Sequence, residues 1–139
     1  MSFFTSALDY IKQYYLSINS TEFNAHDWFE DNVQNYITKK NITADDIGTM
    51  HSENTEFTER NSTIDESSFV LNRGENETNY WQFMVHFTCH RTAKNNYQSC
   101  NILVEIGINN STNKIISYKE LEIKDLVFSN EPEPDDVGD

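Results

Sequence analysis

Between Tyr80 and Ile108 the chain alternates apolar and polar side chains with a period of two, and it does so twice. Trp81, Phe83, Val85, Phe87 and Cys89 share one face of the first run; Cys100, Ile102, Val104, Ile106 and Ile108 share one face of the second. Tyr80, Gln82, Met84, His86, Thr88 and His90 take the opposite face of the first run. Period two is the side-chain repeat of a β-strand, and two such runs joined by the polar stretch Thr92 to Tyr97 read as a hairpin with one buried face. A fold built of helices alone does not accommodate this pattern. Something else in the chain has to cover the apolar face.

The N-terminal part supplies that cover. Ala7, Leu8, Ile11, Tyr14, Tyr15 and Ile18 recur at three- and four-residue spacing, with Asp9, Lys12 and Gln13 on the other side, which predicts an amphipathic helix. Thr5 or Ser6 suits its cap, and Asn19-Ser20-Thr21 stops it. A short helix is expected over Phe23 to Glu30, a short strand over Val33 to Thr38, and a third, weaker helix over Ala44 to His51. The third starts at Thr43 with Asp46 three residues on. Beyond Glu53 the period changes to two: Thr55 to Arg60 and Thr63 to Asn72 as one strand or two, a turn over Arg73 to Thr78, and a last strand over Lys114 to Ile123. In that last strand Ile115, Leu121 and Ile123 are expected inside. Helices followed by a run of strands predict an α+β fold, with the helices on one face of a bent antiparallel sheet.

Charge limits the partners. The 139 residues hold 23 Asp+Glu against 10 Lys+Arg, a formal charge of −13. Binding to nucleic acid, or to an anionic membrane surface, requires clustered Lys and Arg, so neither is expected. No apolar run approaches the ~18 residues of a membrane span. Both prolines and five acids fall in the last ten residues, so residues 1–128 are expected to form one domain and 129–139 an acidic disordered tail. Met1 to Ser6 lacks the basic and apolar regions of a signal peptide, which points to the cytoplasm and to reduced thiols.

Two stretches carry a resemblance. Tyr15-Leu16-Ser17-Ile18-Asn19 followed by Phe29-Glu30-Asp31-Asn32-Val33 resembles the opening of the nuclear-transport-factor-2-like superfamily, which includes ketosteroid-isomerase and SnoaL-like relatives. Asn113-Lys114-Ile115-Ile116 resembles the Gly-Lys-Ile turn into that superfamily's last strand, with Asn in place of Gly. The resemblance spans about residues 5 to 125. It implies a cone: N-terminal helices in the concave face of a strongly curved sheet, a pocket at the wide end, and a homodimer across the outer face. Tyr80, Met84, His86 and Leu103 compose that outer face, a mixture that suits a protein interface.

The residues offer a pocket more readily than a reaction. Tyr14, Trp28, Tyr36, Trp81 and Phe83 are the candidate walls for a small apolar ligand, and they suit a plain core equally. Isomerase chemistry of the ketosteroid kind needs a carboxylate base near Ile37 or Thr38, and no acid lies from Asn32 to Ala44. The one acid in the two alternating strands, Glu105, points away from the apolar face. Weak candidates for a SnoaL-like pocket enzyme are His26, Asp27 and Tyr14, but neighbouring helical residues diverge by about 100°. His86 and His90 stand about 13 Å apart along one strand, too far to share a metal, and no metal-binding spacing or cofactor motif occurs. Cys89 and Cys100 oppose each other if Lys94 and Asn95 centre the loop, as buried thiols or a redox pair. The leading expectation is a non-catalytic binding module for a small molecule or peptide. A pocket enzyme and a protein-interaction module stand as alternatives.

Overall fold

The computed structural model describes residues 6–132. The opening Met1 to Thr5 and most of the expected acidic tail, residues 133–139, lie outside the described residues. Helix α1 runs Ala7–Ile18, with the Ser6 hydroxyl accepting from the Asp9 amide at its start. Of the expected apolar stripe Ile11, Tyr14 and Tyr15 are buried and Ala7, Leu8 and Ile18 half-buried; Tyr10, outside that stripe, is buried as well, while Leu16 faces solvent.

The helix expected over Phe23 to Glu30 shrinks to a single 3-10 turn, Ala25–Asp27. The reason is where the backbone groups go. The Asn24 side chain caps the turn at the His26 amide, and the Trp28 carbonyl and Glu30 amide then bond to Ile115. A helix through Trp28 would forfeit both bonds. Strand β1, Asn32–Tyr36, follows, and then β2, Lys39–Thr43, which the polar Lys39-Lys40-Asn41 run concealed. Charged, exposed residues of this kind suit a sheet edge. Helix α2, Ala44–Glu53, opens on the anticipated reciprocal cap. The Asp46 amide donates to the Thr43 hydroxyl and the Thr43 amide to the Asp46 carboxylate.

Four long strands follow: β3 Phe57–Glu75, β4 Thr78–Arg91, β5 Asn96–Asn109 and β6 Ile115–Ser129. The fold is α+β, two helices and a six-stranded sheet in the order β2-β1-β6-β5-β4-β3. The sheet is mixed, which corrects the all-antiparallel expectation, because β1 lies parallel to β6. That direction is set by Phe29, which bridges Ile115 in parallel as the chain enters β1. Residues Asn76 and Glu77, both at positive φ, make the two-residue turn between β3 and β4.

Helix and sheet share one core. Ile11, Tyr14 and Tyr15 of α1 are buried in the same cluster as Phe83, Ile102, Val104 and Ile106, with Leu8 and Trp81 packed against its margin. The period-two pattern of β4 and β5 therefore does put its apolar set under the first helix. We call this the inner face of the sheet.

Two register details depart from expectation. The β4–β5 connection is a four-residue loop with Asn95 in the left-handed region. It places Cys100 opposite Phe87 and Cys89 opposite Gln98, so the thiols are not cross-strand partners. Both are buried and free. In β6 the pairing slips between Val104 opposite Glu120 and Leu103 opposite Glu122, a bulge at Leu121. Of the three residues expected inside this strand only Ile115 is buried; Leu121 and Ile123 are 46% and 55% exposed.

Candidate functional site

A cavity of about 300 Å³ opens on the inner face, between the last turns of α1 and strands β3 to β6. Core positions build its floor. Val85 and Phe87 come from β4, and Cys100, Ile102 and Val104 from β5, all on the apolar alternation of their strands. Exposed Ile37 and Ile123 stand at its mouth. Ile37 has φ 58°, a left-handed conformation that a β-branched residue adopts only under constraint. The constraint here is its amide, which donates to the Tyr118 carbonyl at 2.8 Å.

Polar groups reach this apolar hollow from four tyrosines. Tyr14 and Tyr15 arrive from α1, Tyr36 from β1 and Tyr118 from β6. The Tyr15 and Tyr118 hydroxyls are 2.9 Å apart and hydrogen bonded. Burial raises the pKa of Tyr14, Tyr15 and Tyr118 well above the usual tyrosine range, and that of Tyr36 to about 12. All four are neutral phenols at physiological pH. The rings of Tyr14, Tyr36 and Tyr118 also pack on one another, with Tyr14–Tyr118 and Tyr36–Tyr118 centroids 5.9 and 5.8 Å apart.

Two charged residues line the same cavity. Arg60 of β3 approaches the His51 ring nitrogen at 3.2 Å. Glu120 is turned inward opposite Val104, two residues beyond Tyr118. Burial raises its carboxyl above the ordinary glutamate range. The Glu120 charge is felt by all four tyrosines and by Cys100.

The residues anticipated as cavity wall divide cleanly. Tyr14 and Tyr36 line the hollow. Phe83 is fully buried beneath Tyr15, Trp81 stacks on Phe69 at 5.0 Å, and Trp28 packs edge-on to Tyr10 with its indole donating to Ser17. These three are core and rim residues outside the cavity lining. His26 and Asp27 also lie elsewhere, exposed on the 3-10 turn. His26 bonds Asp45 at 2.6 Å and approaches Asp31 at 3.5 Å, which ties this turn to α2. It joins no acid–base set with Tyr14.

Glu120, Arg60, Tyr15 and Tyr118 are among the cavity residues not anticipated. A signal for two of them existed. Tyr118 and Glu120 share one parity in the last strand, but Leu121 and Ile123 suggested the other, and the bulge that reconciles both leaves no mark in composition.

Elsewhere the surface offers less. A depression of about 520 Å³ lined by residues of β3 to β6 is rimmed by exposed Glu59, Glu131 and Pro132. Among the described residues no three His, Cys, Asp or Glu side chains are grouped to hold a metal ion. Burial pushes the Cys89 thiol up to about 11 and raises Cys100 as well, opposite to what a nucleophilic or redox-active thiol needs. On the outer face Tyr80 is already buried within the chain, under the Arg73 guanidinium 3.9 Å from its ring. No described helix is long and apolar enough to cross a membrane. Comparison of the chain with protein-family models, with curated proteins and with solved structures finds no match.

Proposed function

We propose that the chain is a small-molecule binding module of the nuclear-transport-factor-2-like kind, a cone whose wide end receives a compact, largely apolar ligand. The observation that carries this reading is the inner-face cavity of about 300 Å³, apolar in its floor and supplied with phenol groups by α1, β1 and β6. A concave apolar site with a few placed polar groups is the usual form of a small-molecule pocket. The element order supports the cone: an amphipathic helix first, then a short strand pair and a helix, then four long strands.

Binding is tested by thermal unfolding with small aromatic probes such as indole and 2-phenylethanol. A ligand at about 100 times its Kd stabilises the folded state by about 2.7 kcal/mol. A rise in Tm in the native chain, abolished in the cavity-filling variant Val85→Phe, is the expected result. Equal rises in both, or none in the native chain, would remove the proposal.

The same proposal includes a homodimer through the outer face. Met84 and Leu103, half-buried and cross-strand partners, support it. Sedimentation should report a dimer that Leu103→Glu dissociates; a monomer at every concentration removes that part alone.

A further inference from the structure

We infer that the cavity ligand carries a protonated amine, which Glu120 receives among the rings of Tyr14, Tyr36 and Tyr118. The inference rests on the pocket reading above and names the chemical class of its ligand.

Glu120 is the central residue. Its side chain faces the cavity because the Leu121 bulge keeps Glu120 opposite inward-pointing Val104. It has no hydrogen-bond or ion-pair partner among the described residues. A carboxylate drawn out of water into an apolar wall is costly until a cation meets it. Among the described residues no cation pairs with it. Arg60 lines the same cavity, but its charge is felt by Tyr36 and Cys89 rather than by Glu120. Lys119 and Leu121, the sequence neighbours, do not line the cavity.

The surroundings suit an organic ammonium. Tyr14, Tyr36 and Tyr118 line the cavity together with the carboxylate, and a cation over a tyrosine face is attracted by the ring quadrupole. The phenol oxygens accept hydrogen bonds from an ammonium N–H. Burial keeps those phenols un-ionised, so among the described residues Glu120 is the one carboxyl lining the hollow that can meet a cation. The chain's formal charge of −13 adds a long-range field that draws cations and repels anions. About 300 Å³ holds roughly ten water volumes, which is a ligand of about ten heavy atoms: an aryl-alkylamine rather than a steroid-sized molecule.

The test compares three probes of one shape, phenethylamine, 2-phenylethanol and 3-phenylpropionate, by calorimetry or NMR titration on the native chain and on Glu120→Gln. Phenethylamine should bind the native chain at least about tenfold more tightly than the alcohol, with the carboxylate weakest. In Glu120→Gln the amine should lose about tenfold while the alcohol holds its affinity. The native-chain ratio needs no variant, so a misfolded mutant leaves the test intact. If the alcohol binds as well as the amine, or if the glutamine variant discriminates as before, the inference is overturned and the pocket reading survives. If none of the three binds, both fall together.

Discussion

The Tyr15 and Tyr118 hydroxyls meet at 2.9 Å in the core, joining the end of α1 to β6 across 103 positions of sequence. Each is the other's partner in the buried wall of the cavity. Removing one hydroxyl strands the second, so Tyr15→Phe and Tyr118→Phe should each destabilise the fold by about 1–3 kcal/mol. The double variant leaves two apolar rings and no orphan. It should cost less than the two single changes added together, a coupling that urea unfolding of the four species measures directly. Strict additivity would mean that the two hydroxyls do not depend on each other.

Gly107 is held open for a ring. A methyl group there would lie 2.8 Å from Tyr80 Cε1 and 3.3 Å from Ser117 Cβ. Tyr80 cannot easily yield, since it is buried and Arg73 stacks over it. Gly107→Ala should therefore cost about 1–3 kcal/mol, the usual range for overpacking. Shrinking the neighbour with Tyr80→Leu should reduce the further penalty of Gly107→Ala to a small fraction of that. An unchanged penalty in the Tyr80→Leu background would place the strain somewhere other than the ring.

The strand pair β4–β5 and the stripe on α1 were legible because each repeats its burial with the period of its own backbone. Phe83, Val85, Ile102 and Val104 belong to one, and Ile11, Tyr14 and Tyr15 to the other, and the two sets meet in one core. The Thr43–Asp46 cap was legible for a local reason: both bonds close within three residues. What stayed hidden depends on long-range pairing. The 3-10 turn at Ala25 is short because Ile115, far along the chain, takes the backbone of Trp28 and Glu30. The parallel entry of β1 beside β6 has the same origin. Glu120 was missed as a cavity residue because one inserted residue, Leu121, exchanges the faces of β6, and alternation alone assumes no insertion. Trp81 and Trp28 show the complementary error: large aromatic side chains suit a cavity wall and a core equally, and here they pack on Phe69 and Tyr10 instead.

His26 makes the structure sensitive to pH on one side of neutrality. The bond to Asp45 comes first, then the Asp45 and Asp31 charges, and they raise its pKa above the usual 6.5. A raised folded-state pKa means the protonated ring is favoured by folding. Its contribution is complete below the unfolded value and disappears as pH rises through the folded one. NMR titration should place the His26 midpoint above 6.5. The stability difference between the native chain and His26→Asn should be largest in mildly acidic buffer and close to nothing in alkaline buffer. A difference that grows with pH would contradict the assignment.

Arg73 and Glu105 form an ion pair of unequal members. The carboxylate is 5% exposed and accepts from Arg73 at 2.9 Å and from Asn72 at 3.1 Å, while the Arg73 side chain is 41% exposed. Removing one partner of a fully buried pair costs about 3–5 kcal/mol, chiefly through the charge left behind. Glu105→Ala leaves a guanidinium that solvent can still reach, so about 1–2 kcal/mol is expected, mostly lost packing and hydrogen bonding. Arg73→Ala leaves the buried carboxylate with Asn72 alone and also uncovers Tyr80, so it should cost more, about 2–4 kcal/mol. Denaturant unfolding of the two variants decides the order. If Glu105→Ala proves the more damaging, the carboxylate matters as a packing element and the electrostatic account of this pair is wrong.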